Sequence, residues 1–137
     1  MYEYDKPLPR GEGYHGEFYD FCRQHELRFQ QCADCGSWRH MPRESCNRCG
    51  SFDWSWQPST GKGVIFSWTI IHRALHPGFA DELPYASVVV ELDEGVRLVS
   101  NVVGIAPDEL RIGLPVEVIF EDVTADTTLH KFQPSTA

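Results

Sequence analysis

Apolar and aromatic side chains near the start of the chain recur at helical spacing. The residues up to Gly13 are rich in proline, glycine and charge, which predicts a poorly structured lead-in. From Leu27 the hydrophobic period changes to two, so a short strand should enter the first cysteine pair. The helical residues that precede it would form one stripe on a helix of about three turns: Tyr14, Phe18, Phe21, Cys22 and His25.

The second half of the chain alternates with the period of β-strands. Asp93-Glu94-Gly95 turns the chain into a third strand over residues 96–103, and two more strands are expected over residues 115–121 and 127–132. Pro107, followed by two acids, is typical of a helix start, so a short helix should separate strands three and four. The first two strands each have four residues on one face: Val64, Phe66, Trp68 and Ile70, then Ala86, Val88, Val90 and Leu92.

Five strands with one helix between the third and fourth predict an OB-fold, a small, partly open Greek-key barrel. Another small barrel with a chance helical turn is the alternative. The residues before the barrel, 51–62, contain Pro58, Ser59 and Gly61 and predict a connector. The aromatic residues flanking this connector are expected to pack the two halves of the chain together: Trp54, Trp56, Phe66 and Trp68.

Four of the five cysteines form two Cys-x-x-Cys pairs that are separated by ten residues, and a glycine follows each pair. Two intervening residues let one tight turn direct both sulfurs at a single ion. A tetrahedral shell of four sulfurs leaves no position for substrate, so a structural zinc is expected in a rubredoxin-like ribbon. Rubredoxin-like iron or a redox dithiol is the alternative. The expected ligands are Cys32, Cys35, Cys46 and Cys49.

These segments together predict a mainly β protein. It has an N-terminal helix, a rubredoxin-like Cys₄ zinc ribbon and a five-stranded OB-fold barrel with a short helix between strands three and four. The expected divisions are residues 1–30 for the lead-in and helix, 31–58 for the ribbon and 59–137 for the OB-fold.

Composition and charge restrict the functional classes. No apolar stretch approaches the roughly 20 residues that span a bilayer, and the N-terminus has neither a basic start nor an apolar run. A cytoplasmic protein without membrane contact is therefore expected. The net charge of −8 is uneven, because residues 81–137 hold eleven acids against three basic residues, whereas residues 22–50 hold five arginines against three acids. An acidic barrel would repel nucleic acid, although the arginine-rich ribbon keeps single-stranded nucleic-acid binding as the alternative function.

No catalytic residue is expected, since the chain has no phosphate loop, nucleophile elbow or metalloprotease motif. Cys22 lies on the helical stripe and should be a small buried hydrophobe. A nucleophilic pair of Cys22 and His25 is the alternative. His40, between the cysteine pairs, is expected to be a loop residue. Residues 72–79 follow the first barrel strand and occupy a loop that commonly borders the ligand face of an OB-fold, with a plain connector as the alternative.

Several short sequence motifs occur in a fixed order along nearly the whole chain. Each is only modestly specific on its own. They follow an aromatic-bearing N-terminal helix and are Cys32-x-x-Cys35-Gly36, Pro42-Arg43, Cys46-x-x-Cys49-Gly50, Ser59-Thr60-Gly61-Lys62-Gly63, Val64-Ile65-Phe66-Ser67-Trp68-Thr69, Pro84-Tyr85, Val90-Glu91-Leu92-Asp93-Glu94-Gly95-Val96-Arg97-Leu98, Gly113-Leu114-Pro115-Val116-Glu117-Val118 and Lys131-Phe132-Gln133-Pro134. In this order they resemble the DUF35 family of zinc-ribbon and OB-fold, acyl-CoA-associated proteins. Asn47 departs from the family, which often has proline there, and this should alter only local stiffness.

The resemblance implies a non-catalytic companion of a thiolase-fold enzyme, either a thiolase or a retro-aldolase that shortens steroid side chains. The partner would supply the catalytic residues, while this chain would complete the assembly and help to bind acyl-CoA. Cationic side chains and amide groups bind the phosphates of CoA. The residues expected to contact acyl-CoA are Arg39, Arg43, Lys62, Arg73, His76 and Phe79. Aromatic residues are enriched at interface hot spots, and the expected partner-facing anchors are Phe18, Phe21 and Trp38. Solvated surface charge and core packing are the respective alternatives.

Overall fold

The computed structural model describes residues 4–9 and 12–135, and this part of the chain contains one α-helix and two antiparallel sheets. Helix α1 spans Gly13–Arg23. The first sheet has the order β2-β1-β3 and comprises β1 (Arg28–Cys32), β2 (Trp38–Arg39) and β3 (Trp54–Pro58). The second has the order β6-β5-β4-β7-β8 and comprises β4 (Lys62–Ile71), β5 (Tyr85–Leu92), β6 (Arg97–Ser100), β7 (Pro115–Asp122) and β8 (Thr128–Pro134). No helix in the described ranges is long and apolar enough to cross a bilayer.

Helix α1 confirms the predicted apolar stripe, with one exception at its end. Phe18 and Cys22 are buried, and the helix lies against β8. His25 was expected on the same stripe, but it lies beyond the helix end in a left-handed conformation with φ of 58°. The chain therefore leaves the helix before His25, and the imidazole points to Asp122 in the barrel, with Nε2 and Oδ1 3.0 Å apart.

Residues 4–9 of the lead-in form neither helix nor strand, yet they pack against the barrel. Lys6 forms an ion pair with Glu82 and lies over the ring of Phe79. Gly78 faces this segment so closely that an added Cβ would lie 2.6 Å from the carbonyl oxygen of Asp5. The remaining lead-in residues, 1–3 and 10–11, lie outside the described residues.

The interpretation of residues 51–62 as a connector is wrong, because β3 occupies their centre. This strand pairs with β1 over five residues, from Arg28 opposite Pro58 to Cys32 opposite Trp54. Its two tryptophans lie next to helix α1, and Trp56 also packs against the hydrophobic core, as expected. Their rings join in a series of edge contacts to helix α1, with centroid distances of 5.3–5.5 Å, and the rings in order are Tyr14, Trp54, Trp56 and Phe21.

The five barrel strands appear where they were predicted, but the inward face of the first strand is different. Ile65 is completely buried, whereas Val64 and Phe66 are exposed on the opposite face. A β-bulge between Ile65 and Ser67 adds one residue to β4, so that Trp68 turns inward again and packs against the core. The expected single face of Val64, Phe66, Trp68 and Ile70 is therefore wrong. Phe66 lies outside, beneath the guanidinium of Arg97 at 3.8 Å from the ring centroid.

The barrel closes only in part, as the OB-fold prediction required. The strand edges of β6 and β8 meet through a single parallel bridge between Val102 and Phe132. The Phe132 N–H donates to the carbonyl of Asn101, and the Val103 N–H donates to the carbonyl of Phe132. The short helix expected between strands three and four is a single 3₁₀ turn, Pro107–Glu109, and a longer 3₁₀ segment, Pro77–Glu82, follows β4. The structure thus confirms a mainly β protein with an OB-fold half-barrel.

The segment that joins the ribbon to the barrel is fixed by the turn between β5 and β6. Glu94 in that turn accepts a 2.6 Å hydrogen bond from the Ser59 hydroxyl and a 3.0 Å hydrogen bond from the Thr60 N–H. Gly61 follows with φ of +73°, and an added Cβ there would lie 2.5 Å from Val118 Cγ1. Glycine is therefore required at this position both by the backbone conformation and by the close approach of β7.

Candidate metal centre

The two cysteine pairs form a matched pair of turns, each with the sequence Cys-x-x-Cys-Gly-Ser. The N–H of each glycine donates to the carbonyl of the first cysteine, at 3.1 Å for Gly36 and 2.9 Å for Gly50. Both glycines have positive φ, 75° and 78°, which lets the backbone curl around the sulfurs. The first cysteine of each turn donates its N–H to the carbonyl of the serine that closes the turn, Ser37 or Ser51.

The four sulfurs converge in a geometry that fits a tetrahedral metal ion. The Sγ atoms of Cys32 and Cys49 are 3.6 Å apart, as are those of Cys35 and Cys46, and all four lie within 4.8 Å of one another. A Zn–S bond near 2.3 Å implies tetrahedral edges of about 3.8 Å, so the cluster has the size that zinc requires. Within the described ranges, this is the one group of three or more His, Cys, Asp or Glu side chains whose ligand atoms converge in this way.

Hydrogen bonds to the sulfurs stabilise the thiolate form at two ligands. The Ser37 hydroxyl is 3.0 Å from Cys35 Sγ and 3.3 Å from Cys46 Sγ, and it is the largest cause of the lowered pKa of both. The pKa of Cys46 falls to about 5, because the Cys49 and Arg48 backbone amides contribute as well. At Cys49 a hydrogen bond from the Ser51 backbone lowers the pKa of the thiol. Its hydrogen bonds to the other cysteine sulfurs and its desolvation have the larger combined effect and raise that pKa to about 12.

The alternative of a nucleophilic Cys22 is not supported by its surroundings. Cys22 is completely buried, and burial raises the pKa of its thiol to about 12. A reactive cysteine needs a lowered pKa and access to substrate. His25 does not act as its base, because the imidazole contacts Asp122 and stacks on Phe120. Cys22 is the small buried hydrophobe that the sequence predicted.

Two half-buried histidines meet where helix, ribbon and barrel join, and the sequence gives no sign of this junction. His40 lies in a loop, as predicted, but its ring packs on Phe18 of α1 at 5.0 Å, and His130 of β8 packs on the same ring at 5.6 Å. Burial is the largest cause that lowers the pKa of each to about 4, so both are neutral at neutral pH. His130 Nδ1 is 3.2 Å from the Ser100 hydroxyl, whereas His40 Nδ1 is buried and has no hydrogen-bond partner within the described part of the chain.

Arg39, one of the six residues expected to bind CoA, is a buried structural arginine. Its Nε donates to Gln30 Oε1 at 2.8 Å, and its Nη2 donates to the carbonyl of Arg43 at 3.0 Å. Its guanidinium also lies 5.7 Å from the ring centroid of Trp54. Because it is committed to these internal contacts, Arg39 does not present a free cation to a phosphate. Arg43 is exposed beside it.

The other four candidates lie at opposite ends of β4. Lys62 begins the strand, while Arg73, His76 and Phe79 follow its end, and the ten residues of the strand separate the two sites by about 30 Å. His76 Nδ1 accepts a hydrogen bond from the Gly78 N–H. Phe79 stacks on Tyr85 at 5.3 Å and lines a cavity of about 400 Å³. The six residues are therefore not brought together. Among the loop residues, the rings of His76 and Phe79 contact each other, with centroids 6.4 Å apart.

The three expected partner anchors differ in exposure. Phe18 is only 3% exposed and belongs to the core, so its prediction as a surface anchor is wrong. Phe21 is half-buried, with Trp56 on one side and the Arg28 guanidinium 5.2 Å from its centroid. Trp38 is half-buried at the edge of the ribbon sheet.

The arginines that made the ribbon appear basic are partly neutralised within the fold. Arg23 pairs with Asp20 at 3.3 Å, Arg28 pairs with Glu26 at 2.7 Å, and Arg39 is buried. Phosphate contacts require accessible cations, so buried Arg39 is not available for them, whereas the Arg23 and Arg28 side chains remain partly exposed.

Comparisons with known proteins match both halves of the chain. The family model described as "ChsH2, rubredoxin-like zinc ribbon domain" covers residues 20–55, and that described as "ChsH2, C-terminal OB-fold domain" covers residues 56–121. A DUF35 domain-containing scaffold protein of Methanothermobacter thermautotrophicus is 31% identical over 83% of this chain and 90% of its own length. The chain belongs to the DUF35 family. The predicted family, ribbon and barrel are thereby confirmed, and the four converging sulfurs form the metal-binding group of the ribbon.

Two further matches are relevant to function. A Thermomonospora curvata protein named "Probable enoyl-CoA hydratase alpha subunit" is 39% identical over 95% of this chain, which spans about two fifths of that relative's length. A solved structure titled "Ltp2-ChsH2(DUF35) aldolase" contains a chain that is 39% identical, with a TM-score of 0.82. That match covers 94% of this chain and 98% of the solved one.

Proposed function

We propose that this chain is a non-catalytic subunit that assembles with a thiolase-fold, acyl-CoA-cleaving enzyme of the aldolase type. The observation that carries the proposal is the match over 94% of the chain, at a TM-score of 0.82, to a chain of the Ltp2-ChsH2(DUF35) aldolase. A likeness over the whole of both chains supports a shared architecture and, with it, a shared mode of assembly. The relatives named DUF35 domain-containing scaffold proteins support the same role.

Two properties of the chain support the proposal that it has no catalytic activity of its own. Its four converging sulfurs would fill a tetrahedral shell, which leaves no open position where a metal could activate substrate. The remaining cysteine, Cys22, is completely buried, and its pKa is raised to about 12. The partner therefore supplies the catalytic residues.

We infer that the metal of the ribbon is a structural Zn²⁺, held by Cys32, Cys35, Cys46 and Cys49. When bound, zinc would supply four coordinate bonds that fix the two turns together. In zinc-finger peptides such binding is worth about 10–16 kcal/mol of apparent free energy at neutral pH, so metal would govern folding of this segment. The sulfur separations near 3.6 Å suit zinc in size, and the Ser37 hydroxyl favours the thiolate form that zinc needs.

We further propose that acyl-CoA is contacted by the loop after β4. Phe79 lines a cavity of about 400 Å³ together with Tyr85, and the His76 ring lies 6.4 Å from the Phe79 ring. Arg73, exposed in the same loop, would supply the cation. Lys62 begins the other end of β4, so it would not share this site. CoA affinity in the assembled complex should therefore depend on Arg73 and not on Lys62.

The experiment is co-expression of this chain with each thiolase-fold protein encoded near it, followed by size-exclusion chromatography with light scattering. A stable complex of fixed stoichiometry is expected with an aldolase-type partner. Titration of that complex with a CoA ester should show weaker binding for Arg73→Ala, by roughly ten-fold for the loss of one charge-assisted contact, and unchanged binding for Lys62→Ala. The proposal would be wrong if this chain assembled only with a hydratase subunit. It would also be wrong if the chain bound single-stranded RNA with a steep salt dependence and bound no thiolase-fold protein.

A further inference from the structure

A serine hydroxyl lies between sulfurs that belong to different cysteine turns. Ser37 Oγ is 3.0 Å from Cys35 Sγ, in its own turn, and 3.3 Å from Cys46 Sγ, in the other turn. These two sulfurs are 3.6 Å apart and form one edge of the tetrahedron. The hydroxyl therefore caps an edge that joins the two halves of the metal centre.

The equivalent serine of the second turn has a different environment. Ser51 follows Cys49 and Gly50, as Ser37 follows Cys35 and Gly36, so the two serines occupy matching positions. The Ser51 hydroxyl donates to Asp34 Oδ2 and accepts from the Asp53 N–H, and it makes no recorded contact with a sulfur among the described residues. Two serines in the same motif thus have separable tasks, one at the metal and one in the loop.

The chemistry of a tetrathiolate centre explains why a hydroxyl at this edge matters. Four thiolates around Zn²⁺ carry a net charge of about −2, and hydrogen bonds to a charged acceptor are roughly twice as strong as neutral ones. A donor that spreads this charge without adding a ligand stabilises the metal-bound state. Outer-shell partners of this kind typically change metal affinity by about 10–100-fold.

We propose that Ser37 is a positioning residue of the metal centre, whose hydroxyl donates to the Cys35 or Cys46 thiolate and retards release of the metal. The inference rests on the proposed zinc site and deepens it, because it names the residue that governs how tightly the two turns hold the ion.

The experiment compares zinc release from the full-length wild-type chain, Ser37→Ala and Ser51→Ala, each first assayed for zinc content. Transfer of zinc to a chromophoric chelator should be about ten-fold faster from Ser37→Ala and within about two-fold of wild type from Ser51→Ala. Cobalt-substituted proteins provide a readout that loop packing alone would not move. The sulfur-to-cobalt charge-transfer band should shift to lower energy in Ser37→Ala only, since the sulfur loses its hydrogen bond.

A second pair of variants decides the question if Ser37→Ala does not fold. Ser37→Thr and Ser37→Val differ only by a hydroxyl in place of a methyl, so Thr should retain the wild-type release rate and Val should not. Equal release rates and band positions for the Thr and Val proteins would overturn the inference while leaving zinc in place. A purified wild-type chain without stoichiometric zinc would instead contradict the zinc site itself, and the inference with it.

Discussion

Individual side chains at the junction of helix, ribbon and barrel connect three elements that lie far apart in the sequence. Phe18 is held between the rings of His40 and His130, and Tyr19 stacks on His130 at 6.3 Å. Both histidines are half-buried, and this burial lowers the pKa of each to about 4. The junction is therefore built for neutral histidines, and a proton on either ring would place a charge between aromatic groups.

This arrangement predicts that acid destabilises the fold through His40 and His130. Above about pH 6.5 both histidines are neutral whether folded or unfolded, so they contribute no pH dependence. Between pH 6.5 and 4 the histidines of the unfolded chain bind protons, whereas those of the folded chain stay neutral. The free energy of unfolding therefore falls by up to about 2 kcal/mol per histidine at pH 5.

The measurement is urea unfolding of zinc-saturated protein at about pH 7 and about pH 5. Between these two pH values the free energy of unfolding of His130→Gln should fall by about 2 kcal/mol less than that of the wild type, because one titrating group has been removed. His72→Gln, in the exposed loop after β4, is the matched control and should follow the wild-type pH dependence. The same pH dependence in all three proteins would show that the junction histidines do not titrate as described.

The residues of the metal centre were predictable from sequence, whereas those of the junction were not. Cys32 and Cys35 are linked by a local turn, so their spacing alone reveals that both sulfurs can reach one ion. His40 and His130 are 90 positions apart and meet only because α1 lies against β8. No periodicity or motif marks such a pair, and the lone histidines resemble ordinary surface residues. Arg39 is buried by its pairing with Gln30 across β1 and β2, which the spacing of the arginines does not reveal.

Among the secondary-structure elements, the two differences from expectation have local causes. In β3 the alternation of Trp54 and Trp56 with Ser55 is a strand pattern, but Pro58 and the small residues that follow it resemble a connector. In β4 the alternation is interrupted by a bulge after Ile65, which moves Trp68 to the inner face while Val64 and Phe66 stay outside. A one-residue slip reverses every later position, so a strand predicted with the correct bounds can have the wrong inward face.

The connection between ribbon and barrel gives a prediction at Gly61. Gly61 and Gly95 both have positive φ, 73° and 91°, so alanine at either position incurs about 1–2 kcal/mol of backbone strain. Only at Gly61 would the new Cβ also meet a neighbour, with Val118 Cγ1 at 2.5 Å, whereas at Gly95 nothing lies within 4 Å. Overpacking of this kind costs a further amount of about 1–3 kcal/mol.

Thermal or urea unfolding should therefore show a clearly larger loss of stability for Gly61→Ala than for Gly95→Ala. The double variant Gly61→Ala, Val118→Ala relieves the clash and should recover part of that difference. Equal effects of the two single variants would contradict the packing described for the start of β4.

At the scale of the whole molecule, the chain combines a closed metal centre with an OB-fold whose charge is mostly acidic. The barrel segment 81–137 holds eleven acids and three basic residues, whereas several ribbon arginines are paired within the fold. Such a surface can meet a protein partner, because complementary charge sets register and encounter rate. The family match and the likeness to the aldolase-associated chain agree with a subunit that works within a complex.

The most direct test of this account is acyl-CoA cleavage by the separately purified partner, by this chain alone and by the two combined. We predict no turnover by this chain alone at any concentration, and turnover by the mixture that rises with added chain and saturates at the stoichiometry of the isolated complex. Cleavage by this chain alone, retained after exhaustive purification, would contradict a non-catalytic role. Failure of the chain to change the activity of every thiolase-fold partner would contradict the proposed assembly.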